Sequence, residues 1–548
     1  MAAQDGPQSL LLTNFANFIM LRPSMRKTGI IIALLTGSAG IYAQNPPTTN
    51  APASSVTNAP SAAAIVGGVN TAGNPTRPIG LSEVIQMALQ SNLDIQVSRF
   101  DPRISQFTLS IASAVYEPDF RFTYTHNNNT SPGGFDERGL AIPAVILNTD
   151  TYGAGVGNTV EGYAPSGLTY SIGGNVSKQN RSFPGTLGTD EYSGGFTANV
   201  RQPLLKNFLI DPSRAAIKID RVNLRISEES LHQTINDTLV KVEQAYYNLI
   251  FARENVKVQA TALELASQLL RENRKRVEVG ALAPLDEKQA ESEVAATRAA
   301  LIDAERQLSE QQNILKGLIT DKYADWNAIN LEPIDSLMAV PVIADVQESW
   351  RRGLNERPDL MQLKYALERA GITLKLTKNQ LWPELDLLGS YGHSERRDSY
   401  GDVLADLPRG KYPHYSYGVV LDIPLGNRAA RARYKSAKAD QEQSLLEYKR
   451  LEQQIMVQID DAVKMIRSSF ERVEATRAAR SFAQEALAAE QKKLENGKST
   501  SFLVLQAQRD LTARRSEEIR ALADYNNALA QLAWREGTIP ERHKIVIK

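Results

Sequence analysis

The chain has 548 residues, 62 Lys+Arg against 62 Asp+Glu, and 42% hydrophobic residues, enough to bury large apolar surfaces but without the basic excess of a nucleic-acid binder. The absence of cysteine excludes disulfides, thiolate nucleophiles, cysteine zinc sites and a lipid-modified N-terminal cysteine. An oxidising cell-envelope destination is compatible with that composition.

Residues 1–43 read as an export signal preceded by a non-native extension. The positive pair Arg26 and Lys27 follows Met25, the suspected true start, and leads into the apolar run Gly29 to Leu35 and then small residues ending Ile41-Tyr42-Ala43. A buried N-terminal strand is the alternative. Neither this run nor any later one reaches the roughly 18 to 20 residues of a membrane-spanning helix, so a membrane position would require a closed β-barrel. Residues 44–79 are rich in Pro, Thr, Asn, Ala and Gly without periodicity and read as a disordered linker.

From residue 80 the chain is duplicated. Ala88 to Asp94 aligns with Gly353 to Asp359 at a shift of 265, which also sets Pro118 on Pro383 without a gap. Farther on the shift becomes 217, pairing Val242 to Ala245 with Ile459 to Ala462 and Gly280 with Gly497. The first copy (80–319) therefore carries 48 extra residues between positions 127 and 214, and an inter-repeat segment (320–345) separates it from the second copy (346–538) and a tail (539–548).

In the first copy, Phe120, Phe122 and Tyr124 alternate with polar residues, predicting a strand at about 118–126; Phe196, Ala198 and Val200 predict another at about 195–203. Between them, the Gly-rich run from Tyr152 to Gly157 and the alternating segment Leu168 to Val176 predict an additional hairpin at the mouth of a barrel, or additional wall strands. Its role is open: shielding, surface recognition or mere loop length.

A long helix is predicted over about 214–279. Ile235, Val242, Leu249, Val256, Leu263, Leu270 and Val277 keep an unbroken seven-residue spacing, and no proline interrupts 66 residues, a reach of roughly 100 Å. After Gly280 the chain turns back into a second helix near Pro284.

The second copy repeats the plan, with strands at about 383–393 and 415–424 and a long helix at about 428–496. There Ile459, Ile466, Val473, Leu487 and Leu494 keep the spacing, interrupted at Arg480. The chain turns at Gly497, and Ser499, Thr500 or Ser501 can cap the return helix. Pro118, Pro203, Pro383 and Pro424 mark the four helix–strand junctions, as suits a residue that stops helices and tolerates strand ends. Heptads alone would equally suit a periplasmic coiled-coil scaffold or tether. Segments of about ten residues, apolar on one face, favour membrane strands, although a half-buried soluble sheet alternates in the same way.

The order of elements, the duplication and the segments Leu81 to Leu89, Gln202-Pro203-Leu204-Leu205, Arg357-Pro358-Asp359-Leu360 and Leu503 to Gln508 resemble the TolC-like outer membrane factors over about residues 79–538. The resemblance implies a mainly α fold with membrane β-barrel strands. Each protomer is a duplicated helix, strand, strand and long helical hairpin, and three form a trimeric α/β-barrel channel-tunnel in the outer membrane, extending into the periplasm. It further implies four strands per protomer in a twelve-stranded barrel, and a periplasmic adaptor (membrane fusion protein) and inner-membrane pump as partners of the homotrimer. The implied role is the passive exit channel of a tripartite efflux or type I secretion system, with no cofactor.

By position in the family, the hairpin turns at the periplasmic entrance are Gly280, Ala281 and Leu282, and Gly497, Lys498 and Ser499, the residues that would meet the adaptor. Some relatives place carboxylates just beyond the second turn. This chain has Leu503 and Gln506 there, so hydrophobic or amide-lined closure replaces an acidic gate.

Catalysis finds no support. The five His, at 126, 232, 393, 414 and 543, lack metal-ligand spacing, and there is no Walker lysine loop or GxSxG elbow. The Gly run at 153–157 lacks the strand-then-helix setting of a dinucleotide site.

Overall fold

The computed structural model of the chain describes residues 75–182, 188–280 and 282–545, and for residues 152–158 the backbone alone. The expected export signal and most of the linker lie outside the described residues. The end of the expected linker is ordered as β1 (Thr76–Ile79), too short to give a periodic signal.

Three short helices follow: α1 (Leu81–Ser91), α2 (Leu93–Ser98) and α3 (Phe100–Ser113). A 3₁₀ turn, Ala114–Tyr116, then leads to β2 (Asp119–Arg121) and β3 (Tyr124–Ser131). A small hairpin, β4 (Gly134–Phe135) and β5 (Ala141–Ile142), precedes the long strands β6 (Val145–Tyr163), β7 (Thr169–Ser182) and β8 (Thr189–Pro203). The first helical hairpin is α4 (Pro212–Glu278) with α5 (Pro284–Ile319). Asp211 caps α4 by accepting from the Arg214 amide at 2.9 Å, and Pro212 sits in the first turn, where its missing N–H costs nothing.

Between the copies run α6 (Tyr323–Trp326) and β9 (Asn330–Pro333), which pairs in parallel with β1. The second copy comprises α7 (Val346–Glu356), α8 (Pro358–Asn379), β10 (Glu384–Arg397), α9 (Tyr400–Asp406), β11 (Pro413–Asp422), α10 (Arg428–Glu495) and α11 (Ser501–Glu536), with α12 (Ile539–Arg542) closing the chain.

The main sheet runs β11-β10-β8-β7-β6-β2, with β3 continuing the line of β2 along β6, and all pairings are antiparallel. The expected four strands per protomer become six strand lines, and the extra hairpin is in the sheet rather than at the mouth. Among the described residues of the insertion, the short β4–β5 hairpin lies outside the sheet, between the ends of β3 and β6. The physical reason is pairing at long range. β7 is rich in Gly, Ser and Asn, and it is fixed by fourteen and thirteen register partners on β6 and β8 rather than by apolar content of its own.

On the helical side, α3 packs on α4, α4 on α8, and α8 on α10. Helix order thus follows strand order, with α3 leading to β2 at one edge and β11 leading to α10 at the other. Towards the hairpin tips α4 packs against both α5 and α11, and α11 against α10. The largest core joins α1 and α2 to α4 through Ile85, Ile95, Leu239, Tyr246 and Leu249. The Tyr246 hydroxyl, fully buried, donates to the Ile79 carbonyl (3.0 Å) or the Asp335 carboxylate (2.6 Å), tying the end of β1 to the helical layer. A second core sits on α10 around Ile455, Ile459, Ile466 and Val473, and a third, nearer the tips, joins Leu269, Leu487, Val504 and Leu511.

The seven-residue seam of α4 is deeply buried at Ile235, Val242 and Leu249, but Leu263 and Leu270 are only half-buried. Ala262, Ala266 and Leu269 take over the inward face there. A straight helix of 3.6 residues per turn drifts away from a 3.5 repeat by about 20° per heptad, which rotates the seam towards the flank.

Candidate functional site

Both helical hairpins end in tight glycine turns. At the first, Gly280 has φ +76° and its amide donates to the Val277 carbonyl at 3.0 Å. Leu282 is half-buried, Ala283 precedes α5, Pro284 opens it, and Ala281 lies outside the described residues.

At the second, Gly497 has φ +67° and donates to the Leu494 carbonyl at 3.1 Å, while Lys498 donates to the Lys493 carbonyl at 2.8 Å. These two bonds are the paired closure of a Schellman cap, and they satisfy carbonyls the helix end would leave orphaned. Neither glycine is crowded, so the left-handed φ alone requires glycine at both turns.

The side chains around the second turn lock it further. The Ser499 hydroxyl bonds the Glu490 carboxylate, and Lys493 reaches the same group at 2.9 Å. The Ser499 hydroxyl first, then the Lys493 ammonium, hold the Glu490 carboxyl below its usual range. Thr500 caps α11. Lys498 is exposed, and Lys275, Arg276, Lys492 and Lys493 occupy the last turns of the two long helices, where cations complement the helix dipole. Val279, Leu285 and Phe502 are all more than half exposed, so each tip presents apolar side chains among charges of both signs, with Glu278 and Glu495 ending the long helices beside the cations.

Leu503 and Gln506 share one exposed face of α11, while Val504 and Leu505 between them are buried. Asp510, two turns beyond Leu503, is exposed on that same side, a carboxylate the sequence reading passed over. Also missed were the contacts joining the two hairpins. The Ser501 hydroxyl bonds Asn273 Oδ1 at 2.9 Å, and both residues are buried. The Arg509 guanidinium donates through Nε to Glu293 at 2.7 Å, and Glu293 is buried. Single polar residues on a heptad helix give no signal of the partner they meet across it.

At the other end of the helices, Pro118 lies between the 3₁₀ turn and β2, Pro203 closes β8, Pro383 immediately precedes β10, and Pro424 lies two residues after β11. Two asparagines with positive φ, Asn207 and Asn427, turn the chain from sheet to long helix in each copy. The Asn207 amide donates to Asn379 Oδ1 (2.8 Å), and Asn427 Nδ2 donates to the Leu381 carbonyl (3.2 Å). The prolines were the legible half of these junctions; the asparagines carry the left-handed turn.

Among the described residues no cluster of His, Asp and Glu could hold a metal ion, and no helix is long and apolar enough to cross a membrane. Paired helical hairpins behind a sheet with one apolar face define a protomer of an outer-membrane α/β channel-tunnel. Residues 84–320 and 351–534 match the family described as "Outer membrane efflux protein", and the chain belongs to that family, which consists of transport channels. It is therefore an outer-membrane protein.

It is 26% identical over 299 residues to outer membrane efflux protein BepC of Brucella suis biovar 1, covering 52% of this chain and 60% of BepC. It is 22% identical over 352 residues to alkaline protease secretion protein AprF of Pseudomonas aeruginosa, covering 63% of this chain and 70% of AprF. Among solved structures, the outer membrane protein VceC of Vibrio cholerae superposes with a TM-score of 0.59 at 18% identity, covering 83% of this chain and 96% of VceC. That likeness shows the fold.

Proposed function

We propose that the chain is the outer-membrane exit channel of a tripartite efflux or type I secretion system, acting as a passive homotrimeric conduit. The observation that carries this reading is the open protomer. Among the described residues its sheet ends in two edges without a further strand, β11 and β2 with β3, and its exposed face carries Phe120, Leu387, Tyr391, Tyr417, Val419 and Leu421. Unpaired strand edges are not tolerated in hydrocarbon, so copies must complete one another in a ring.

The helical layer supports the same closure. Val97, Phe100, Ile104, Phe107 and Ile111 form an exposed stripe at helical spacing along α2 and α3, and Leu445, Leu446 and Val457 are exposed on α10 at the opposite edge. Three protomers would set these two edges against each other.

In this reading the tips at Gly280, Ala281 and Leu282, and at Gly497, Lys498 and Ser499, meet a periplasmic adaptor, and an inner-membrane pump supplies energy and cargo. Leu503 and Gln506 line the entrance constriction. The channel should fractionate with the outer membrane and migrate as a heat-resistant trimer; release in soluble form by osmotic shock would instead support a periplasmic tether. Strong periplasmic-side block by divalent cations in single-channel recordings would contradict an entrance closed by Leu503 and Gln506.

A further inference from the structure

We infer that the β6–β7 hairpin is part of the lipid-facing wall, so that the trimer closes an eighteen-stranded exit pore which imposes no size limit narrower than the helical tunnel beneath it. This rests on the channel reading above and specifies the bore of its outer-membrane end.

The hairpin runs the full height of the sheet. At its helical end, Asp119 pairs with Glu161, Tyr163 with Thr169, and Thr169 with Arg201, level with the Pro203 and Asp386 pair. At the other end Ser131 pairs with Val145, Ile146 with Ser182, and Arg181 with Thr189. The turn at residues 164–168 is anchored at the boundary with the helices. Gly167, at φ +89°, lies against the Arg214 side chain and the Asn207 carbonyl, where a Cβ would fall within 2.8 and 3.2 Å, and the Gln202 amide donates to the Ser166 carbonyl at 3.2 Å. The Tyr163 ring stacks on Tyr116 of the 3₁₀ turn at 5.9 Å. A surface loop has no need of such an anchor.

The inserted strands also keep the two faces of the wall. Along one register line, Phe120, Val160, Ile172 and Ala198 are successive neighbours. Val160 (37% exposed) and Ile172 (44%) on the inserted strands are as open as Val200 (44%) on β8, so the apolar band continues across them unbroken. On the opposite face a concavity of about 610 Å³ is lined by Glu161 and Ser171 from the insertion together with Asn199, Arg201 and Ser390. Apolar residues to lipid and polar residues to the bore are what every wall strand must supply.

The widths agree. Four adjacent helices spaced about 8–10 Å apart span roughly 32–40 Å of perimeter. Six strands about 4.8 Å apart, tilted by about 40°, span roughly 38 Å, whereas four would span roughly 25 Å. A six-strand sheet is thus compatible with the arc of the four-helix layer beneath it. Three such arcs give a barrel about 36 Å across at the backbone, within the range in which 16 to 18 strands leave an open aqueous channel.

The chain has no cysteine, so single thiols can report the wall directly. In full-length trimers in proteoliposomes, with assembly verified by native mass, S171C and E161C should react with a charged maleimide roughly tenfold faster than I172C and V160C. Fluorophores at residues 160 and 172 should be quenched by lipids brominated in the acyl chain. Equal labelling of all four positions, without quenching, overturns the inference.

As a second measurement, V160C/I172C should form a disulfide within one protomer. F120C/A198C should not, because three strand spacings, about 14 Å, exceed disulfide reach. An efficient F120C/A198C bond would place the hairpin outside the wall. Failure of the unmodified protein to form trimers would instead remove the channel reading itself.

Discussion

The two copies of the repeat share one helical design and differ in their strands. α4 and α10 have nearly equal lengths, 67 and 68 residues, and end in equivalent glycine turns, whereas among the described residues the first copy places four strand lines in the main sheet and the second two. If the tips form the proposed entrance, helix length is constrained because the two must end together there. Strand number is less constrained. Adding an antiparallel pair returns the chain to the side it left, so the flanking helices need not move. The copies also differ in setting: α4 is packed on both flanks within the protomer, while α10 is an edge helix with one flank open.

The largest effect expected from that contrast is on assembly. Phe107→Asp in the α3 stripe and Leu446→Asp on α10 should each abolish the trimer on native gels while leaving helix content by circular dichroism unchanged. A trimer in both variants would mean that the edges do not meet. Leu263→Asp, at the half-buried flank of α4, should impair assembly less completely. Truncation in the shared frame comes next: Leu249→Ala and its counterpart Ile466→Ala, both buried, should each cost about 2–5 kcal/mol in denaturant titrations. A near-neutral Ile466→Ala would show that the second copy leans on its neighbours rather than on its own core.

At the tips, Gly497→Ala should cost about 1 kcal/mol, seen as faster amide exchange over residues 493–503, because only the left-handed φ is strained.

The smallest effect separates the copies by pH. Glu229, 3.4 Å from His232 on α4, raises the imidazole pKa above its ordinary value. The raised value means that the folded state binds the proton more tightly. Its stabilisation is fully present below about pH 6.5 and is lost as pH rises through the folded value. The pair is partly exposed, so the contribution is below about 1 kcal/mol. His232→Gln should remove the excess stability at pH 6 relative to pH 8; an unchanged pH dependence would rule the contact out as its source.

Periodicity and punctuation made the helical frame legible. Ile235, Val242 and Leu249 announced a seam, Gly280 and Gly497 announced the reversals, and the prolines separated helix from sheet. The strands of the insertion were legible only as alternation from Leu168 to Val176. Where they sit depends on register with β8, which nothing local in β7 encodes, and the long strand β6 shifts register between Gly153 and Asn158, which blurs its period. At the hairpin tips, glycine positions were readable because a backbone angle demands them. Asn273, Glu293, Ser501 and Arg509 were not, because their meaning lies in a contact between helices more than 200 positions apart.

The unpaired edges of the sheet also govern how the protein reaches its destination. On the trimeric reading, a lone subunit has its β11 edge and its β2 and β3 edge without a neighbouring strand, an arrangement hydrocarbon does not tolerate. On that reading, bilayer insertion and subunit association would occur as one concerted event. Before that event each polypeptide is a template for wrong partners, so the interval in the periplasm calls for chaperoning, and the yield of channels should rise steeply with the local density of newly exported chains.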